Sequence, residues 1–192
     1  MFEHPLTPFS NTTFSSECCS EKNLYARRYN TAINRFKSIR SKGKFLRVFA
    51  KILRRRTCLH DLNEIKNGLC LHGSSYAGIR VVRIRSIIGS EGKVADFDMG
   101  FHPIHESSRE RWVNMAMAYL SCLPLPPVQL IQIGDAYFVR DGHHRISVAR
   151  ALGQTCIDAE VVTWKTTSSL PWERESGLEN IETLKQAKHL YT

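Results

Sequence analysis

The sequence predicts an α/β (α+β) domain preceded by a basic helical arm, on three observations. Between residues 75 and 165 the apolar recurrence alternates between the helical period of three to four and the strand period of two. Of 192 residues, 42% are hydrophobic and 23% charged, which is globular composition, and 22.0 kDa suits one core. The net charge of +9 is one-sided: residues 1–66 carry 14 Lys and Arg against 5 Asp and Glu, and residues 67–192 carry 13 against 13. A basic arm of this kind suits nucleic acid, an acidic lipid surface or an acidic partner. No uncharged apolar run reaches the roughly 20 residues of a spanning helix, and the N-terminus has neither the basic start nor the apolar block of a secretory signal. A cytoplasmic location is the expectation.

Residues 1–22 are rich in Ser, Thr, Asn and Pro and show no period, so they read as a disordered leader. The arm spans 23–70. Tyr25, Tyr29, Ile33, Phe36 and Ile39 share one helical face, and Ser41-Lys42-Gly43 then interrupts the helix. A second amphipathic helix, KFLRVFAKILRRR, gathers Phe45, Leu46, Val48, Phe49, Ile52 and Leu53 on one stripe, with Lys44, Arg47, Lys51 and Arg54 to Arg56 on the other. Three uses of the arm stand beside one another. Its stripes near Phe36 and Phe49 pack on the main domain, or residues 25–56 contact nucleic acid, or residues 44–56 form an interfacial membrane helix.

Asp61 and Glu64 have the form of a capping box and Gly68 supplies a stop, which predicts a short helix over 62–67. The six cysteines contain no CxxC and read as reduced, buried thiols. Cys58-Leu59-His60 recurs as Cys70-Leu71-His72, four groups of the type zinc prefers, but not at the spacing of common zinc modules.

The main domain is expected over 75–165. Ile79 to Ile88 reads as one strand with Arg80, Arg83 and Arg85 on a wet face, ended by Gly89-Ser90-Glu91-Gly92. Ser107 and Glu110 form a capping box for a helix over 108–121, terminated by Pro124, Pro126 and Pro127. Residues 128–133 and 136–139 form a hairpin turned at Gly134-Asp135. A helix over 143–152 ends at Gly153, and IDAEVV at 157–162 alternates as a strand. A polar, weakly helical tail occupies 166–192.

The chemistry concentrates in YFVRDGHHRISVARALG, residues 137–153, a strand, a tight turn and a helix. A helix start presents unpaired N–H groups and the positive end of the dipole, which favours an anion beside Gly142 to Arg145. Gly142 admits close backbone approach, and Arg145 adds a guanidinium fork suited to phosphate. His143 and His144 can donate hydrogen bonds, bind metal or exchange protons. The plainer reading makes Asp141 a helix cap, Gly142 a turn residue and the histidines ordinary satisfied groups.

VVRIRSI, DFD at 96–98, the helix, LPPVQLIQIGDAYFVRDGHHRISVARALG and IDAEVV, in this order over residues 79–163, resemble the ParB/sulfiredoxin superfamily in its ParB N-terminal-like branch. The resemblance implies a small mixed sheet with flanking helices, and phosphate contact by Gly142, His143, His144 and Arg145 in binding a nucleotide (CTP, ATP or ADP) with Mg²⁺. Sulfiredoxins carry Gly-Cys-His-Arg at this turn, and His143 stands in place of their nucleophilic cysteine. ParB-type CTP switches carry Gly-Glu-Arg-Arg, so the glutamate is also missing here. The residues after Val162 are expected to be too few for their helix-turn-helix and dimerising domains. The turn is similar as well to the free-serine-kinase branch, which implies Asp141 and an upstream carboxylate, Glu106, as catalytic groups, with His143 or His144 as acid or base. The plainer role of Glu106 is to complement a helix dipole. The expected function is a nucleotide-binding module coupled to nucleic acid through its arm; the alternative is a nucleotide hydrolase or small-molecule kinase.

Overall fold

The computed structural model describes residues 13–54, 56–167, 170 and 172, with side chains from residue 21 onward. Among them are four α-helices and one six-stranded mixed sheet: α1 (Thr13–Ile52), β1 (His60–Asp61), α2 (Leu62–Asn67), β2 (Leu71–Arg83), β3 (Ile87–Ser90), α3 (Arg109–Leu120), β4 (Val128–Ile133), β5 (Ala136–Asp141), α4 (His143–Ala151) and β6 (Cys156–Thr166). The strand order is β1-β3-β5-β4-β6-β2. β1, β3 and β5 run parallel, the β4/β5 hairpin turns at Gly134 with φ +57°, β4 and β6 are parallel, and β2 closes the sheet antiparallel to β6.

Alternation along β4 and β5 places the core on both faces. Val128, Leu130 and Val139 meet Ile146 and Ala149 of α4, whereas Ile131, Ile133 and Phe138 meet Leu62 of α2 and Leu170. α3 lies outside α4, and its buried Trp112 donates from Nε1 to Ser147 Oγ of α4 at 2.8 Å. α1 covers α3 in turn, with Ala32 and Phe36 buried and the Phe36 ring 5.6 Å from that of Trp112. α4 ends as expected. Gly153 takes φ +85°, and the N–H groups of Gly153 and Gln154 return to the carbonyls of Arg150 and Ala149, a Schellman closure.

Five expectations are corrected. The leader is helical from Thr13, an extension that costs little once the helix is seeded by packing on α3; residues 1–12 lie outside the described residues, as does nearly all of the 166–192 tail. α1 does not break at Ser41-Lys42-Gly43. A β-carbon at Gly43 would stand 2.6 Å from His102 Cβ, so the glycine lets the helix pass the 98–102 loop, and no proline interrupts residues 13–52. The 79–88 run is not one strand. It divides into the end of β2, a 3₁₀ turn at Ile84–Ser86 and β3; β2 is an edge strand, whereas β3 lies between β1 and β5 on the far side of the sheet. Ser107 caps nothing: α3 is entered through a 3₁₀ turn at Glu106–Ser108 whose backbone does the capping, and the N-cap Ser108 has helical φ and ψ and makes no side-chain cap. The four cysteines whose side chains are described are not buried either. Cys58, Cys70 and Cys122 are exposed and Cys156 is half-buried, because each falls in a loop or at a strand end. α2 does form over 62–67, with Asp61 Oδ1 accepting from Asn63 N at 2.8 Å.

Candidate functional site

β3 and β5 are parallel neighbours, so their C-terminal ends, Ser90 and Asp141, open on the same edge of the sheet. α4 starts there. Gly142 is its N-cap in the left-handed region at φ +98°, and a β-carbon would stand 2.6 Å from Val128 Cγ1. Both the backbone angle and the contact therefore require glycine. The N–H groups of the first helical turn face a hollow of about 350 Å³ lined by Lys93, Arg111, Pro126 and Asp141 to Arg145.

The histidines are held rigidly. His143 is buried, and its Nε2 lies 2.6 Å from the Oγ of fully buried Ser90. The buried Phe97 ring, at the centre of the DFD segment, stacks on His143 at 5.8 Å and meets His144 edge-on at 5.2 Å. His144 Nδ1 is buried without a hydrogen-bond partner among the described residues. Burial, then the charges of Lys93 and His144, push the His143 pKa down to about 4, against opposing pulls from Asp141 and Asp96. Burial, then Arg111 and Lys93, push His144 down to about 4 as well. Both rings are neutral at pH 7.

Arg145 is already engaged. Its guanidinium donates to Asp141 Oδ2 at 2.7 Å and to the carbonyls of Pro126 and Pro127 at 2.5 and 2.7 Å. Asp141 is thus the partner of Arg145, and among the described residues no α4 N–H donates to its carboxylate. Lys93 and Arg111 make no ion pair among the described residues, which leaves them as the uncommitted cations of the hollow.

Gly142, His143, His144, Arg145 and Asp141 therefore come together, and Glu106 does not join them. Its carboxylate pairs with Arg40 of α1 and Arg109, beside a separate hollow lined by Tyr29, Ser107 and Asn114. The 3₁₀ turn before α3 carries it towards α1. Lys93, Arg111, Ser90 and Phe97 were missed as site residues. Gly89-Ser90-Glu91-Gly92-Lys93, a glycine-bracketed loop ending in a cation, holds a usable signal for two of them. Arg111 has none, because only the docking of α3 brings it here. Among the described residues no three His, Cys, Asp or Glu side chains stand together as a metal site, so neither Mg²⁺ nor zinc finds a ready cage.

The fold and site define a mixed-sheet α/β protein with a basic hollow at a helix start. Compared with known proteins, the chain matches no family model, no curated protein and no solved structure.

Proposed function

We propose that this chain is a ParB-like nucleotide-binding module whose ligand phosphates lie against the first turn of α4, between Lys93 and Arg111. The observation that carries the reading is the pair of uncommitted cations at a helix start where glycine admits close approach. Arg145 is a positioning residue that ties the Pro126-Pro127 wall to Asp141. His144 Nδ1 offers the ligand an unspent polar atom. A second hollow of about 540 Å³ shares Arg145 and Pro126 with the first and is lined by Val81, Tyr119, Leu125 and Ile157. It suits a nucleobase, which favours a nucleotide over free phosphate. The order of motifs over residues 79–163 supports the same reading.

Mg²⁺ would have to arrive on the nucleotide, because among the described residues Asp141 is the sole carboxylate lining the hollow and is bonded to Arg145. The kinase alternative draws no support from geometry, since Glu106 and Asp141 border different hollows. Coupling to nucleic acid through residues 25–56 has only the excess charge of the arm behind it and is not part of this proposal.

Calorimetry with CTP, ATP and ADP, each with and without Mg²⁺, tests the reading. The variant Lys93→Ala/Arg111→Ala should bind roughly a hundredfold more weakly, because each lost charge-assisted contact is worth about tenfold or more. Silence from all three nucleotides, or equal binding by the variant, would reject the site. Release of phosphate would bring the enzyme class back.

A further inference from the structure

From the C-terminal half of α1 we infer an interfacial helix that lies on an anionic lipid surface. The domain-facing side of α1 is defined by Gly43 against His102 and by Arg47, which donates to Asp98 Oδ2 at 3.2 Å. Roughly half a helical turn away, at about 100° per residue, stand Phe45, Val48, Phe49 and Ile52. These side chains are 69%, 64%, 51% and 73% exposed, and Leu46 and Leu53 extend the patch. The face turned away from the domain is therefore apolar, and a contiguous apolar patch of this kind marks an interaction surface. Lys42, Lys44 and Lys51 flank it, all exposed.

Charge selects the occupant. Between Lys22 and His60 the chain has thirteen lysines and arginines and no aspartate or glutamate. A second copy of α1 would meet this excess with its own, whereas an anionic bilayer neutralises it. The aliphatic side chains Val48, Ile52 and Leu53 argue against nucleic acid, because a phosphate backbone offers them nothing apolar and base stacking uses aromatic rings. The acyl boundary of a bilayer accepts all six apolar side chains. No helix among the described residues is long and apolar enough to cross a membrane, so α1 would lie in the interfacial plane.

Flotation of the full chain with phosphatidylcholine vesicles, with and without about 30% phosphatidylglycerol, tests the inference. Binding is expected to the anionic vesicles alone. Phe45→Ser/Phe49→Ser should weaken it roughly tenfold or more for each ring at unchanged charge. Lys44→Gln/Lys51→Gln should weaken it roughly fivefold per lysine. Both pairs are solvent-exposed, and circular dichroism checks that the fold persists. Failure to bind anionic vesicles overturns the inference, as does vesicle binding indifferent to the serine pair. Duplex-DNA binding at the same face, or a dimer in vesicle-free solution dissolved by the serine pair, would reassign the face to nucleic acid or to a second copy.

Discussion

Lowering the pH from about 7.5 to about 5 should destabilise the fold through the two histidines at the start of α4. Each imidazole moves from an ordinary value of 6.5 to about 4 in the folded chain. The unfolded chain thus takes up protons that the folded chain refuses. Stability is full above 6.5, declines as the pH falls below it, and has lost this contribution once the pH passes about 4. At pH 5 the loss is about 2 kcal/mol for buried His143 and less for half-buried His144, whose charge solvent screens, so roughly 2–4 kcal/mol for the pair, on the order of 10 °C in Tm for a chain of this size. Urea titrations at the two pH values, on the parent and on His143→Gln/His144→Gln, measure it. The other histidines are common to both proteins and cancel. A parent curve that is flat across the interval, or a variant with the same slope as the parent, would refute the assignment of neutral rings. The proposed nucleotide would favour the protonated rings, so its affinity should rise over the interval in which the empty protein weakens.

The other predictions concern the supports of the site. Gly142→Ala must hold a side chain at φ +98° against Val128, and should cost roughly 3 kcal/mol of unfolding free energy. Phe36→Ala empties the contact with Trp112, and should cost roughly 3–5 kcal/mol in urea unfolding. Asp98→Asn perturbs a buried carboxylate that accepts from Gly100 N, His102 N and His102 Nδ1 at 2.9, 3.0 and 2.9 Å. Burial alone would raise the Asp98 pKa; the His102 hydrogen bonds and charge, with the Gly100 N–H, outweigh it and hold the group below its ordinary value. Its contribution is present above the unfolded pKa and lost as the pH falls through the folded one. The asparagine variant should be roughly 1–3 kcal/mol less stable at pH 7, with a smaller loss on acidification, as read by thermal melts across acid pH.

Where structure follows from neighbours in the chain, most expectations hold; the Ser107–Glu110 capping box is the local exception, because a 3₁₀ turn precedes α3. The 62–67 helix, the hairpin at Gly134 and the Gly153 closure each depend on a period or a glycine within a few residues. The Gly142 turn belongs to the same group, since strand, positive φ and helix follow one another without a gap. Two misreadings arise where a distant segment intervenes. Gly43 looks like a helix break until His102 lies against it, and the 79–88 run looks continuous until its halves join strands that are not neighbours in the sheet.

Local period and composition determined the α/β class, the one-sided charge and the helix start at Asp141 to Arg145, because each depends on interactions of short range along the chain. Tertiary structure decided how the charges are used. Packing of α1 and α3 draws Arg40 and Glu106 together away from the hollow, and the Pro126-Pro127 loop engages Arg145. Lys93 and Arg111 reach the hollow from segments remote in the chain. An ion pair forms where side chains meet in space, and that proximity is set by how helices pack on a sheet.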